Sequence, residues 1–313
     1  MRKVTLRQLR TFAAVIRHGT MAAAAETLGL TPPAVSIQIR QLEDHAGLAL
    51  LERTAQGLRT TDAGKLVLDA AVRVDAVVGE CAGSLEELAG LTGGRASVGV
   101  VSTAKYFAPQ ALADFSRAHP GVDLRLTIGN RGETVAALKG YEIDMAIMGR
   151  PPTGVEVEQA VIGPHPHVII APPGHHLAAR HRITPKVLTS ETLLMREPGS
   201  GTRALVRELF TDAGLEPPPG MEMGSNETIK QAVIAGLGIA MISAHTVAAE
   251  LREGRLTALD VRGLPVMRTW FMVKRADKRL LPASTALWQF MAREGRTYLP
   301  DLAGAPGTQK PAS

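Results

Sequence analysis

The chain has 313 residues, with 35 Lys and Arg residues against 30 Asp and Glu residues and a formal net charge of +5. This length predicts two or three domains rather than one. The single cysteine, Cys81, excludes an intramolecular disulfide. No apolar run reaches the ~20 residues of a membrane span, and the charged start MRKVTLRQLR is unlike a signal peptide. These features are typical of a cytoplasmic protein.

Positive charge is concentrated near the start of the chain. Residues 1–60 hold eight Lys and Arg residues against four Asp and Glu residues, a balance of +4. A locally basic segment favours a polyanionic partner such as nucleic acid, although a solvated surface would explain the same excess. Aromatic residues are only 4% of the chain, which argues against recognition by base stacking.

Three short helices are predicted within the first 47 residues. Thr5, Thr20 and Thr31 each precede an apolar periodic segment and are typical N-cap residues. Gly29 makes a turn between the second and third helices, and Gly47 ends the third. Two short helices joined by a glycine-containing turn form a helix-turn-helix. In that motif the second helix of the pair lies in the major groove of DNA, with its N-terminal residues facing the bases.

The third helix begins in the stretch TPPAVSIQIRQLE, residues 31–43. Proline is accepted in a first helical turn, so two prolines predict a rigid helix start. Val35, Ile39 and Leu42 recur at helical spacing and are predicted to face the core. The candidate DNA contacts lie elsewhere on this helix: Thr31, Pro32, Pro33, Ala34, Ser36, Gln38 and Arg40.

The chemistry of these candidates suits base and phosphate recognition. Proline and alanine can contact a thymine methyl group, Gln38 can pair with adenine, and Ser36 can bond a base or a phosphate. Arg40, two turns in, is predicted to contact phosphate. A solvated helix face is the alternative for Ser36 and Gln38, and capping alone would explain Thr31.

A small hairpin follows, with predicted strands at residues 48–52 and 58–60. It is interpreted as a wing that carries Arg53 and Arg59 to phosphates or to the minor groove.

A long helix is predicted from Thr61 or Asp62 to about residue 91. Its apolar residues recur in steps of three and four: Leu66, Ala70, Val74, Val77, Cys81, Leu85 and Leu88. One apolar stripe on a helix of this length needs a partner surface. A second copy of the chain is the simplest partner, and the chain's own C-terminal part is the alternative. Cys81 is expected to be a buried apolar group within this stripe.

After residues 92–94 the pattern changes to alternating strands and helices. Strands are predicted at 96–102, 122–128, 144–148, 168–171, 238–243, 256–260 and 269–273, and helices at 107–119, 132–140, 203–213, 226–235, 246–253 and 283–294. Such alternation predicts mainly parallel sheets covered by helices, with enough residues for two lobes and a cleft. Residues 300–313, rich in Pro, Gly and Ala, are predicted to be disordered.

Several strand ends and helix starts in this region suit an anionic ligand. Ligands of parallel α/β sheets bind beyond the carboxyl ends of the strands, and helix N-termini favour anions. The candidate effector contacts are Ser102, Thr103, Arg150, Ser200, Thr202, Arg203, Asn226, Glu227 and Thr228. Ordinary helix capping is the alternative for the Ser, Thr and Asn residues.

Enzymatic and metal-binding alternatives have less support. The Ser102 to Lys105 stretch has the Ser-x-x-Lys spacing of penicillin-binding enzymes, but their Ser-Asp-Asn and Lys-Thr-Gly elements are missing. Five histidines between His165 and His181 lie in what prolines and glycines indicate to be loops, with no cysteine or carboxylate set beside them. Gly236 to Gly238 precedes a strand, whereas a dinucleotide-binding motif follows one. We therefore expect neither an enzyme nor a metal site.

The whole pattern resembles the LysR-type transcriptional regulators, most closely over residues 6–64, LRQLRTFAAVIRHGTMAAAAETLGLTPPAVSIQIRQLEDHAGLALLERTAQGLRTTDAG. Family members more often have Gln-Pro where this chain has Pro32-Pro33, which removes one base-contacting amide. The stretches VGVVSTAKYFAPQALADF, DMAIMGRPP and GSNETIKQAVIAGLGIAMIS are similar to the Calvin-cycle (RuBisCO operon) activators of that family. Regulators of other one-carbon or central-carbon pathways share much of this similarity, and a solute-binding α/β protein or enzyme without DNA function is a further alternative.

The resemblance implies a multidomain α and α/β architecture. It comprises a winged helix-turn-helix at 1–60, a linker and dimerisation helix at 61–91 and a periplasmic-binding-protein-like effector domain at 95–299. Lobe I would span about 95–162 and 265–299, and lobe II about 163–264. The resemblance also implies promoter DNA as a partner and a homodimer or, more often, a homotetramer. It implies a small effector between the lobes, for which the subfamily suggests sugar phosphates, nucleotides or NADPH, and no tightly bound cofactor.

Overall fold

A computed structural model describes residues 3–54, 57–88 and 93–302. The chain divides into two compact units, residues 1–91 and 92–313. The predicted disordered tail lies mostly outside the described residues. Within the three described ranges, no helix is long and apolar enough to cross a membrane.

The N-terminal unit contains four helices and one hairpin. These are α1 (Leu6–His18), α2 (Met21–Leu28), α3 (Pro32–Ala46), β1 (Leu51–Thr54), β2 (Gly57–Thr60) and α4 (Asp62–Leu88). The three predicted caps are confirmed: the Thr5, Thr20 and Thr31 side chains accept hydrogen bonds from the backbone N–H groups of the third residue of each helix. Gly29 and Gly47 end α2 and α3 in the left-handed conformation, where a glycine has no Cβ to clash.

The core of this unit is apolar and lies between the short helices. Val35, Ile39 and Leu42 are at most 3% exposed, which confirms the predicted inner face of α3. They pack with Phe12 of α1 and with residues of α2, the hairpin and the start of α4. The predicted DNA contacts lie on the other side of α3.

The first part of α4 packs against this core. Val67 and Ala71 are buried, and Asp75 forms an ion pair with Arg10 at 2.6 Å. The predicted stripe is largely exposed in the single chain, including Leu66, Val74, Val77, Cys81 and Leu85. The expected burial of Cys81 is therefore not met within one copy. The Leu88 side chain lies outside the described residues, and the stripe stays a predicted interface.

The C-terminal unit is built on one seven-stranded sheet. Its elements are β3 (Gly94–Val101), α5 (Ala108–Ala118), β4 (Val122–Gly129), α6 (Arg131–Lys139), β5 (Met145–Met148), β6 (Val157–Ala171), α7 (Pro185–Leu188), β7 (Met195–Arg196), α8 (Gly201–Asp212), β8 (Glu222–Met223), α9 (Asn226–Ile234), β9 (Ala240–Ser243), α10 (Ala248–Arg252), β10 (Thr257–Ala258), β11 (Val266–Arg275) and α11 (Pro282–Glu294). Three 3₁₀ turns lie at Ala104–Tyr106, Ala244–Val247 and Gly295–Tyr298. The strand order is β10-β6-β11-β5-β3-β4, with β9 also on β6, and β7 pairs with β8 separately.

The expectation of mainly parallel sheets is wrong. Among the strands of the described residues, β3 with β4, β3 with β5 and β7 with β8 are parallel pairs, and two isolated bridges are also parallel. In contrast, β11 runs antiparallel to both β5 and β6, and β6 runs antiparallel to β9 and β10. The β6–β11 pair is long, from Val266 opposite His167 to Arg275 opposite Val157. Helix–strand alternation in the sequence did not reveal this pair because its two strands are nearly 100 residues apart.

The loop interpretation around His165 and His167 is also wrong, because both lie inside β6. Pro164 and Pro166 suggested a loop. On one edge of β6 both prolines lie opposite residues of β11. The other edge pairs with β9 from His167 onward, so β9 does not pair with the prolines. A proline lacks an N–H and is accepted in a strand where one edge is unpaired.

Three buried apolar clusters lie in the C-terminal unit. One cluster combines β3, β5, α5, α11 and part of β11. The other two lie on opposite faces of the β6–β9 region, with α9 on one side and α8 on the other. The lobe boundaries themselves stay a prediction.

Candidate functional site

A cavity with about 100 Å³ of internal space, open to solvent, lies among the ends of β3, β4 and β5, the middle of β6 and the start of α8. Five of the nine predicted effector contacts line it: Ser102, Thr103, Arg150, Ser200 and Thr202. The structure thus brings together residues that are up to 100 positions apart in the chain.

Local backbone geometry explains why these residues meet. Ser102 follows β3, Arg131 opens α6 after β4, and the two strands are parallel, so their carboxyl ends adjoin. The Ser102 N–H donates to the Gly129 carbonyl oxygen at 2.7 Å, which holds the two strand ends together. On the other side, Ser200 is the N-cap of α8 but makes no side-chain capping bond within the described chain. The free N–H groups at this helix start suit an anion.

Arg196 is a buried cation that lines this cavity, and the sequence analysis did not predict it. Arg196 is 3% exposed, and its guanidinium donates two hydrogen bonds to the Glu197 carboxylate, at 2.7 and 2.8 Å. The guanidinium also donates to the Ser102 Oγ at 3.3 Å and to the Asn226 side-chain oxygen. Asn226 also donates a hydrogen bond to the Ser102 Oγ at 3.4 Å. Asn226 does not line the cavity, so it can position Ser102 without contacting a ligand there.

The other three predicted contacts are used elsewhere. Arg203 donates to the Arg196 carbonyl oxygen at 2.7 Å and to the Glu222 carboxylate at 2.5 Å. Glu227 pairs with Lys230 at 2.9 Å, and the Thr228 N–H donates to the Ser225 Oγ that caps α9. None of these three lines the cavity. Thr228 therefore takes part in the capping of α9, where Ser225 is the N-cap residue.

The cavity is lined by four arginines and one carboxylate: Arg131, Arg150, Arg196 and Arg268 against Glu208. Glu208 forms an ion pair with Arg268, and Glu197 compensates Arg196. Arg131 donates to the carbonyl oxygens of Arg150 and Pro151 and, at 3.9 Å, to the Met148 sulfur. Burial, followed by the Arg150 charge, lowers the pKa of Arg131. Across the described residues no carboxylate pairs with Arg131 or Arg150, so two positive charges stay uncompensated.

Two neutral histidines form another part of the wall. His165 and His167 are 4% and 3% exposed, and the His165 ring stacks on Trp270 with ring centroids 3.6 Å apart. Burial lowers the pKa of His167 to about 3, and burial followed by the neighbouring His167 lowers the pKa of His165 well below its usual value. Both rings are therefore uncharged at neutral pH.

The N-terminal unit presents a second candidate surface on α3. Thr31, Pro32, Pro33, Ser36 and Arg40 are exposed, and Ala34 is half-buried. Gln38 is also half-buried, and its side-chain oxygen accepts a hydrogen bond from the Thr11 hydroxyl at 2.8 Å. That oxygen is thus occupied in the free protein. Ile37, which the sequence analysis did not single out, is 56% exposed on the same surface.

The wing arginines are described to different extents. Arg59 is exposed on β2, opposite Glu52. Arg53 lies on β1 opposite Leu58, but its side chain lies outside the described residues. All nine DNA contacts stay predictions.

A helix-turn-helix unit joined to an α/β unit with a cationic cavity defines the class of DNA-binding regulators that respond to a small ligand. The comparisons agree with this class. A family model described as "Bacterial regulatory helix-turn-helix protein, lysR family" matches residues 6–65, and one described as "LysR substrate binding domain" matches residues 89–296. The chain belongs to the LysR family of transcriptional regulators.

Several relatives are named for carbon-fixation genes. The chain is 51% identical to the HTH-type transcriptional regulator CbbR of Xanthobacter flavus, over 97% of this chain and 92% of that protein. It is 44% identical to the RuBisCO operon transcriptional regulator of Allochromatium vinosum, over 93% of this chain and 96% of that protein. The resemblance to the Calvin-cycle branch of the family is thereby confirmed.

Solved structures show the same architecture. The Synechocystis PCC6803 CcmR regulatory domain in complex with 2-PG is 34% identical with a TM-score of 0.61, covering 64% of this chain and 96% of that one. Full-length CbnR in complex with its target DNA is 25% identical with a TM-score of 0.60, covering 92% of this chain and 99% of that one.

Proposed function

We propose that the protein controls transcription of carbon-fixation genes in the cytoplasm. It binds promoter DNA through α3 and the wing, and it responds to a small anionic metabolite in the cavity of its C-terminal unit. The names of the relatives support the choice of target genes. The observation that carries the effector class is the pair of uncompensated arginines, Arg131 and Arg150, beside the free start of α8.

The charge balance of the cavity favours a dianion. Two unpaired guanidinium groups match the charge of one phosphate group, and guanidinium forms strong paired hydrogen bonds with phosphate or carboxylate oxygens. The 2-PG bound to CcmR supports a ligand of this kind. The neutral histidines and the hydroxyl groups of Ser102 and Thr103 can then receive an uncharged part of the metabolite.

Self-association is part of the proposal. The exposed stripe of α4 leaves five large or apolar side chains in water in one copy, and a matching helix of a second copy would bury them. A homodimer formed through this helix, and a homotetramer made from two such dimers, is the assembly we propose.

Effector control follows from the position of the cavity between the predicted lobes. Arg131 and Arg150 belong to predicted lobe I, and Ser200 and Thr202 to predicted lobe II. A dianion that bonds both sides binds more tightly when the lobes are close, and it therefore shifts the protein toward that state. We propose that this shift changes the bend of the bound DNA.

The test is a thermal-shift screen of the full-length protein, followed by footprinting. The screen compares 2-phosphoglycolate, a sugar bisphosphate, a nucleotide, NADPH and inorganic sulfate. We expect at least one phosphorylated metabolite to raise the melting temperature more than sulfate does. The same compound should then change the footprint or bend angle on DNA upstream of carbon-fixation genes. Specific DNA binding without any metabolite effect would overturn the effector proposal, and no specific DNA binding would overturn the regulator proposal.

A further inference from the structure

A second cluster of polar side chains lies in predicted lobe II, away from the residues that line the effector cavity. His175 and His176 follow the end of β6, and Glu191 follows α7. The nearest ring nitrogens of both histidines face one carboxylate: the His175 Nε2 lies 3.5 Å from one Glu191 oxygen, and the His176 Nε2 lies 3.0 Å from the other. We propose that this cluster is a site for a divalent transition metal such as Zn²⁺.

The donor set fits that metal. Zinc binds imidazole nitrogen and carboxylate oxygen at about 2.0–2.1 Å in tetrahedral geometry, and two His with one Glu form a known ligand combination. Two ligands of such a tetrahedron are about 3.3 Å apart. Each nitrogen–oxygen distance is close to this value, although the two histidines face different oxygens of the carboxylate, and one ligand atom from each residue lies within 4.8 Å of the other two.

Two of the three proposed ligands are largely buried, and their loops are fixed by the fold. The side chains of His175 and Glu191 are 15% and 13% exposed, whereas that of His176 is 65% exposed. Backbone turn bonds fix the histidine loop, with the His175 N–H donating to the Pro172 carbonyl at 3.0 Å. The fully buried Leu177 and Leu188 anchor the two loops in one apolar cluster. The exposed side leaves room for a water as fourth ligand.

One contact has to change on binding. The Leu177 N–H donates to the His175 Nδ1 at 3.3 Å, so the ring proton of the neutral histidine is on Nε2. A metal on Nε2 moves that proton to Nδ1 and breaks the Leu177 bond. The bond is long, and its loss lowers the metal affinity without removing any ligand.

The site would join two loops that apolar packing and the two histidine–Glu191 contacts already hold together. A metal here links the segment after β6 to the segment after α7 and stabilises predicted lobe II. This role is independent of DNA binding and of the effector, so failure of either proposal leaves the other intact.

The experiment uses the untagged full-length protein after chelator treatment. Zn²⁺ binding is measured by calorimetry and by the melting temperature, and Co²⁺ absorption reports the coordination geometry. The variants are His176→Gln, which alters an exposed side chain and should fold normally, and Glu191→Gln. The matched control is His181→Gln, because His181 is an exposed histidine paired with Asp260 at 3.3 Å outside the cluster.

We expect one Zn²⁺ per chain in the wild type and in His181→Gln, a higher melting temperature with Zn²⁺, and a tetrahedral Co²⁺ spectrum. Both cluster variants should bind Zn²⁺ about tenfold or more weakly, as expected when a ligand is lost. If wild-type protein binds no stoichiometric Zn²⁺, or if His176→Gln and Glu191→Gln bind it as the wild type does, the three residues are only ion pairs and the proposal is wrong.

Discussion

Replacing Arg150 with glutamine should weaken effector binding and leave stability unchanged. Arg150 is exposed at the cavity mouth, and within the described structure its side chain has no ion-pair partner, so the folded state loses little when the charge is removed. Surface changes of this kind alter the free energy of unfolding by about 0.5 kcal/mol or less. The neighbouring Arg131 is a poorer choice, because its substitution also removes two bonds to carbonyl oxygens.

Coulomb's law bounds the expected loss of affinity. A dianion 4 Å from one cation gains about 2 kcal/mol in water and about 8 kcal/mol at an effective dielectric constant of 20. Arg150 is exposed at the mouth of a cavity, so an effective dielectric constant of about 50 is suitable and gives about 3 kcal/mol, of which ordering the long side chain offsets up to about 1.5–2 kcal/mol. We expect the binding free energy to become about 1–2 kcal/mol less favourable, which raises the dissociation constant about 5- to 30-fold.

Calorimetry with the best metabolite of the screen measures this change at low and high salt. The loss should shrink as salt rises, because exposed charges are screened. Arg207→Gln is the control, since Arg207 is an exposed arginine of α8 that does not line the cavity. Wild-type affinity in Arg150→Gln at low salt would refute the charge argument for the effector.

Three further changes test other parts of the structure. Leu42→Ala empties a fully buried position of α3 and should lower the free energy of unfolding of the N-terminal unit by about 2–5 kcal/mol in urea titrations. Gly149→Ala places a Cβ 2.7 Å from the His165 Nδ1, which should cost about 1–3 kcal/mol, visible as a lower melting temperature. Arg275 lowers the pKa of Asp277 from 3.8 to about 2, so the stabilisation by this pair is complete above pH 3.8 and is lost as the pH falls toward 2. Asp277→Asn should flatten stability over that window, and an unchanged acid profile would contradict this.

The DNA-binding unit could be predicted closely because its signals are local. A threonine cap, a left-handed glycine and an apolar period of 3.6 each act within a few residues, and the structure confirms the caps and the buried face of α3. Gln38 stays a predicted base contact, and nothing in the sequence indicated that Thr11 on another helix donates a hydrogen bond to its side-chain oxygen. No local pattern contains that contact.

The effector cavity could be predicted only in part. Ser102 and Thr103 follow a strand that is parallel to its neighbour, so a general rule for sheet ends located them. Arg196 and the two histidines were missed for a different reason: their roles depend on which distant strands pair. Prolines that usually mark loops lie in β6 where one strand edge is unpaired.

The sequence by itself determined the family, the order of the units and the helix boundaries, because short-range hydrogen bonds and apolar periodicity are written in adjacent residues. The tertiary structure alone decided which charges face the cavity. Glu208, 60 positions away in the chain, neutralises Arg268, and Glu222 pairs with Arg203 outside the cavity, whereas Arg196 is neutralised by the adjacent Glu197. Arg131 and Arg150 are left uncompensated because the fold brings no carboxylate of the described chain to them, and that remaining charge determines the kind of ligand we propose.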